Sequence, residues 1–273
     1  MRAVRAASTV RAYAADWSAF TTWCDERRLA SLPATAGTVA RHLDDVARSH
    51  TVATVRRRLA AVRAAHLDAG EPSPTGDAPV RLAVARAEWR QRGAARATVP
   101  LGVEELRAMS RALPDSLAGT RDRALLLLGY GAGLRPGELA GLATDDVRRV
   151  AKGLRVRIAR GTVVVPPGSA VELCAVRAWT RWRRAAGLRG GAAFRGVDRH
   201  GRLGDAGLSP KAVTRIVRRS AGAAGLDPTP YAGRSLRRGM VAAAAAQGAS
   251  DAGIMEHTGH RSRRLVRRYM QDG

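Results

Sequence analysis

The sequence predicts a mainly α protein carrying one small antiparallel β-sheet. Three observations lead there. Apolar residues recur at helical spacing along most of the 273 residues. A single stretch, "LRVRIARGTVVVP" from Leu154 to Pro166, alternates in the manner of paired strands. No βα alternation and no internal repeat runs through the chain, which sets aside a parallel sheet.

Taken in order, "STVRAYAADWSAFTTWCDERRL" opens the helical series. Ser8 and Thr9 read as capping residues, and Val10, Tyr13, Trp17, Phe20, Thr21 and Cys24 share one face. A second helix is expected over Thr38–Arg48, turning Val39, Leu43 and Val46 inward. A third covers "TVATVRRRLAAVRAAHLDAG" and stops at Gly70. After the loop "EPSPTGDAP", the stretch "VRLAVARAEWRQRG" reads as a fourth. Together they predict a helical domain over residues 1–95, with "GAARATVPLG" (Gly93–Gly102) as the linker.

Residues 96–273 read as a second domain. It begins with helices in "VEELRAMSRALP" and "RDRALLLLGYGAG", then a short one in "RPGELAGL" with Pro136 in its first turn. The hairpin Leu154–Pro166 follows, turning at Arg160-Gly161. Helices are then expected over Ala170–Ala186, from a Ser209-Pro210 start over Lys211–Ala224, in "RSLRRGMVAAAAAQG", and in the terminal "IMEHTGHRSRRLVRRYMQDG".

Lysine and arginine together number 47 against 23 acids, for a net charge of +24, and Lys152 and Lys211 are the only lysines. A surplus spread over the whole chain predicts a polyanionic partner, with nucleic acid ahead of an acidic membrane surface. Cys24 and Cys174 match no metal spacing, so free thiols in a reducing compartment are expected. The opening "MRAVRAASTV" lacks the apolar core of a secretory signal. Apolar stretches such as Ala124–Leu134 are too short to span a bilayer, so the expectation is a soluble, cytoplasmic protein without a membrane partner. His257 and His260 in "HTGH" lack a carboxylate companion and fall short of a zinc pattern. No phosphate-binding glycine loop and no serine-nucleophile elbow is present. The sequence therefore predicts no metal, no cofactor and no small-molecule substrate.

What it does contain is arginine in apolar company. "GAGLRPGELAGL" sets Arg135 among apolar neighbours, where an unpaired charge would be very costly. Arg135 must then face an anion, either Glu138 or a ligand phosphate. "GRSLRRGMVAAAAAQGAS" poses the same question for Arg237, with a structural ion pair as the plainer answer.

In chain order these become Arg135 in "LRPGEL", a hairpin, Arg237 in "RSLRRG", His260 in "TGHRS", and Tyr269 nine residues later. That array resembles the catalytic domain of the tyrosine recombinases, the phage-integrase family. "TVRAYAADWSAFTTWC", "LPATAGTVARHL" and "TVATVRRRLAAVRAAHLDAGEPSPT" are similar to that family's helical core-binding domain, so the resemblance covers nearly the whole chain. It implies a SAM-like helical core-binding domain followed by a catalytic domain of the DNA breaking-rejoining fold. It also implies a site-specific recombinase that acts as a homotetramer on double-stranded DNA, needs neither metal nor ATP, and associates with the nucleoid when bound.

The resemblance further implies roles for the residues. Arg135 and Arg237 would clamp the scissile phosphate, which guanidinium forks do bidentately. His260 would bond a non-bridging oxygen, Tyr269 would be the nucleophile of a 3′-phosphotyrosine link, and Glu138 would orient the arginines. Arg56, Arg57, Arg58, Arg261, Arg263 and Arg264 would supply backbone contacts to DNA.

Two positions depart from the family pattern. Arg234 stands where the family usually has the His of its H-x-x-R box. Arg160 aligns with the hairpin Lys that protonates the leaving oxygen, and the nearest lysine is Lys152. Arginine keeps a phosphate-binding cation but is a poor proton donor. The alternatives are a DNA-binding accessory or repressor protein of the same family with impaired cleavage, or a type IB topoisomerase.

Overall fold

The computed structural model describes residues 7–92, 98–260 and 262–271. Contacts divide the chain into two compact units, Met1–Arg96 and Ala97–Gly273.

The first unit holds four helices among its described residues: α1 (Ala7–Asp25), α2 (Ala36–Ser49), α3 (Val52–Asp68) and α4 (Ala78–Arg90). Thr35 caps α2 by accepting from the Thr38 N–H at 3.1 Å, and Thr51 does the same for α3 from Thr54. α2 packs on α4 and α1 on α3, closing a core of Phe20, Cys24, Leu43, Val55, Val62 and Val80. The inward face of α1 differs from the expected one. Val10 is 52% exposed, while Asp16 is 5% exposed, because its carboxylate receives Arg57 bidentately at 2.7 and 2.9 Å. Ser8 and Thr9 lie inside the helix instead of capping it.

The second unit begins earlier than the expected linker ends. Residues 98–101 run against it, with the Val99 N–H donating to Pro230 O and Leu101 N–H to Ser235 O, and Leu101 is fully buried. This close approach requires Gly239, where a Cβ would collide with the Leu101 carbonyl.

Then come α5 (Val103–Ala112), α6 (Leu117–Gly131), α7 (Pro136–Ala140), β1 (Val147–Val150), β2 (Gly153–Ile158), β3 (Gly161–Val165) and α8 (Ala175–Ala185). β4 (Arg195–Val197), β5 (Leu203–Gly207), α9 (Pro210–Ala223), α10 (Gly233–Ala246), α11 (Asp251–Thr258) and α12 (Arg263–Gln271) complete it. The expected hairpin is the β2–β3 half of a three-stranded antiparallel sheet, in register Val156↔Val163. β1 and the separate β4–β5 hairpin are additional to the sequence reading. α6 is buried nearly all round and packs on α8, centring a core with Leu125, Leu128, Leu139, Leu154, Trp182 and Phe194. Met240, Val241, Ile254 and Val266 form a smaller cluster where α10, α11 and α12 meet.

Candidate functional site

The local grammar of "RPGE" builds the first part of the site. Arg135 is the residue before α7, Pro136 opens the helix, and the Glu138 carboxylate reaches back to the Arg135 N–H at 2.8 Å. The same carboxylate accepts Arg135 Nη1 at 2.7 Å and Arg160 Nε at 3.1 Å. Burial alone would raise Glu138, but the Arg135 N–H and the charges of Arg160 and Arg135 outweigh it and hold the carboxyl below its ordinary range. The Arg135 side chain remains 48% exposed and can still meet a ligand.

Arg160, at the β2–β3 turn, is occupied. Besides Glu138 it donates to His257 O at 2.7 Å and Ala132 O at 3.5 Å, with 15% of its side chain exposed. It thereby ties the hairpin to the ends of α6 and α11. Next to it, Gly259 adopts φ +65° and lies so close that a Cβ would sit 2.5 Å from Arg160 Cδ. This left-handed residue ends α11 and turns the chain so that His260 faces inward. Lys152 sits in the β1–β2 turn at the far end of β2, roughly 20 Å from Arg160 at the strand's rise per residue.

Arg237 and His260 form the interior. Arg237 is 4% exposed, donates to Gly133 O at 2.7 Å, and meets His260 Nε2 at 3.1 Å. No carboxylate pairs with it among the described residues. Burial, then Arg135 and Arg160, push its guanidinium down to about 10, so it stays charged at neutral pH and is short of an anion. His260 is 8% exposed, and its tautomer follows from bookkeeping. Thr258 Oγ gives its one proton to Ile254 O at 2.5 Å, so at 2.6 Å it accepts from His260 Nδ1–H. Nε2 therefore carries the lone pair and accepts from Arg237. Burial first, then Arg237 and the other arginines, lower His260 to about 4, keeping it neutral.

Tyr269 is half-buried on α12 with its ring 5.6 Å from that of His260, edge to face. The Arg238 guanidinium lies 5.1 Å from the centre of the tyrosine ring on its other contact. Arg135, Glu138, Arg160, Arg237, His260 and Tyr269 are thus brought together. Arg234 is exposed and makes no contact with Arg237, His260 or Tyr269 among the hydrogen bonds and ion pairs of the described residues, but it borders, with Arg135 and Glu138, a cavity shared with α9. Thr258, Gly259 and the His257 carbonyl are participants that spacing alone did not single out.

The other candidate DNA contacts separate. Arg56 pairs with Glu88, Arg57 with Asp16, and Arg58 lies 3.8 Å from Asp16, so the "RRR" run is engaged within its own unit. Arg263 and Arg264 are exposed on α12, and Arg261 lies outside the described residues. His257 Nε2 meets Gly131 O, so it and His260 address different partners. Among the described residues no group of His, Cys, Asp and Glu converges to hold a metal, and no helix is long and apolar enough to cross a membrane.

Three comparisons bear on this arrangement. Residues 101–273 match the Phage integrase family. The chain is 32% identical over 282 residues to the integrase/recombinase xerD homolog of Selenomonas ruminantium, an alignment taking in 98% of this chain and 83% of that protein. Among solved structures it is similar to a lambda integrase(75-356) dimer bound to a COC′ core site, at a TM-score of 0.66 and 19% identity across 99% of this chain and 90% of that one. It is also similar to a lambda integrase tetramer bound to a Holliday junction, at 0.62 and 16% identity across 99% and 73%. The structural likenesses establish the fold.

Proposed function

The chain belongs to the phage integrase family, the tyrosine recombinases, and from that premise we propose that it cuts and rejoins DNA strands site-specifically through a covalent 3′-phosphotyrosine link. Residues 1–95 act as the core-binding domain and residues 96–273 as the catalytic domain. The protein works in the cytoplasm on double-stranded DNA, as a homotetramer on paired sites.

The observation that carries this reading is the buried, carboxylate-free Arg237 beside a neutral His260, with Tyr269 against the same imidazole. Such a pocket is set up for an anion that arrives from outside. In the proposed reaction Tyr269 Oη loses its phenolic proton to water and attacks the scissile phosphorus, a P–O bond to tyrosine forms, and the bond to the 5′-oxygen breaks. Arg135 and Arg237 neutralise the charge growing on the phosphorane oxygens. His260, its Nδ1–H held by Thr258, takes up a proton at Nε2 as the phosphate's charge offsets the arginines, and donates to a non-bridging oxygen. The phosphotyrosine keeps the bond energy, so rejoining needs no ATP. Arg160, engaged by three acceptors, positions Glu138 and the Gly259–His260 turn, and water protonates the leaving 5′-oxygen.

Incubation with nicked suicide DNA carrying the site, followed by denaturing electrophoresis, should give a covalent protein–DNA band that Tyr269→Phe abolishes. The engagement of Arg160 also favours the second reading, a DNA-binding protein of this family without cleavage. DNA with a sulfur in place of the bridging 5′-oxygen separates the two. A missing general acid is worth about 10²–10⁴ in rate, so the sulfur substrate should be cut faster than ordinary DNA by a factor in that range. Binding with no adduct on either substrate leaves the accessory role.

A further inference from the structure

α9 and α10 both begin at one cavity of about 890 Å³. Arg135 and Glu138 border it on one side, and Lys211, Thr214, Arg215 and Arg234 on the other. Its charges do not balance. Glu138 is its one carboxylate, and that is already taken by Arg135 and Arg160. Among the described residues Lys211, Arg215 and Arg234 enter no ion pair and no side-chain hydrogen bond.

The backbone repeats the imbalance. In the first turn of α9, Pro210 has no N–H, Ala212 N–H donates to Ser209 Oγ, and Val213 N–H to Ser209 O, each at 3.1 Å. Lys211 N–H is left without an acceptor. At the start of α10, Ser235 N–H donates to Ala232 O at 2.8 Å and Gly233 N–H to Thr214 Oγ at 3.4 Å, leaving Arg234 N–H open. Two 14-residue helices therefore present their positive ends, each with a free donor, to a space lined by three unpaired cations.

We propose that this cavity is a second phosphodiester subsite, in which Lys211 and Arg215 hold the backbone phosphate next to the scissile one and Arg234 bridges the two. Arg135 belongs both to the cavity and to the cluster with Glu138, so an anion here sits beside one held there, as successive phosphates of a strand do. The subsite rests on the reading that the chain binds DNA.

The test uses the full chain and fluorescence anisotropy on a labelled duplex, read as the slope of log affinity against log salt. Removing one phosphate contact should lower the slope by about 0.9, for Lys211→Ala and for Arg215→Ala, and by about twice that for the double variant. Lys211→Gln, which keeps the length of the side chain and the backbone donor, should lose the same slope. Lys152→Ala, at the far end of β2, should leave it unchanged. All these positions are exposed, and unchanged melting temperatures check that each variant folds. If the wild type binds with a steep slope and the Lys211 and Arg215 variants match it, the subsite is overturned while DNA binding stands. If the wild type does not bind duplex at all, the DNA-binding reading fails and the subsite with it.

Discussion

Each unit of the protein buries a histidine that stays neutral down to about pH 4, and the two are used in opposite ways. His42, in the first unit, is 1% exposed and boxed edge-on by Phe20 and Trp23, with neither ring nitrogen hydrogen-bonded. His260, in the second, is 8% exposed and has both nitrogens engaged, one by Thr258 and the other by Arg237. Burial is the first cause of the lowered pKa in both. A depressed imidazole therefore does not identify a reactive one. What distinguishes His260 is a fixed tautomer aimed at a cation that has no anion.

The largest effect expected from this contrast is on chemistry. His260→Gln should slow formation of the covalent adduct by about 10²–10³, as loss of one preorganised donor does. His42→Leu should leave the adduct rate unchanged. It should also raise the stability of the first unit by about 1–2 kcal/mol, since it removes two unsatisfied buried polar atoms while filling a similar volume. Rates on a suicide substrate and urea titrations of both variants check the pair. A His42→Leu variant that loses cleavage would break the comparison.

Acid stability sharpens it. Both histidines have folded-state pKa values near 4, below the ordinary 6.5 of the unfolded chain. Between those limits the unfolded state binds protons that the folded state refuses. Stability is therefore full above about pH 6.5 and falls as pH drops toward 4. For His42 the loss amounts to about 3 kcal/mol across that window at 1.36 kcal/mol per pH unit. Its surroundings make this sign firm, since after burial the next contribution is the Arg58 charge, which also disfavours the imidazolium. Calorimetric melts of wild type and His42→Leu should already differ by about 1–2 kcal/mol at pH 7, and the gap should widen at pH 4.5. A parallel loss in both would assign the acid sensitivity elsewhere.

The two units also differ in how much of them the sequence discloses. The capping threonines Thr35 and Thr51 were not singled out, and α2 begins at Ala36 instead of the expected Thr38, whereas the "RPGE" start of α7 is local and was read directly. The nine-residue interval from His260 to Tyr269 was likewise legible, on the strength of family likeness. β1 has four residues, two of them outward arginines, and β5 reads "LGDAG", so neither carries strand propensity of its own. Their pairing comes from the tertiary context. Asp16 could not be recognised as buried without Arg57, which lies 41 residues away. Arg160 posed the same difficulty. The family resemblance puts it at the proton donor's position, while its acceptors Glu138, Ala132 and His257 lie 22, 28 and 97 residues away, so their convergence on it could not be read from the sequence.

The smallest predicted effect concerns what orients a buried imidazole. His66 in the first unit is held by backbone alone: its Nδ1–H donates to Val62 O at 2.9 Å and its Nε2 accepts from Ala34 N–H at 3.0 Å. No side-chain substitution can free that ring. His260 instead depends on one hydroxyl, and Thr258→Val removes it while keeping the shape. The Ile254 carbonyl then loses a bond it shares with the helix ladder, a minor change, but Nδ1 loses its acceptor and the proton is free to move to Nε2. Nε2–H would then face Arg237 donor to donor in the free protein, and the ring should turn. We expect about a tenfold slower adduct, the lower end of what loss of an orienting partner produces. The melting temperature should change little. Thr258→Ser, which keeps the hydroxyl, should restore the rate. If Thr258→Val cleaves as the wild type does, Arg237 alone suffices to hold His260, and the contrast with His66 reduces to burial.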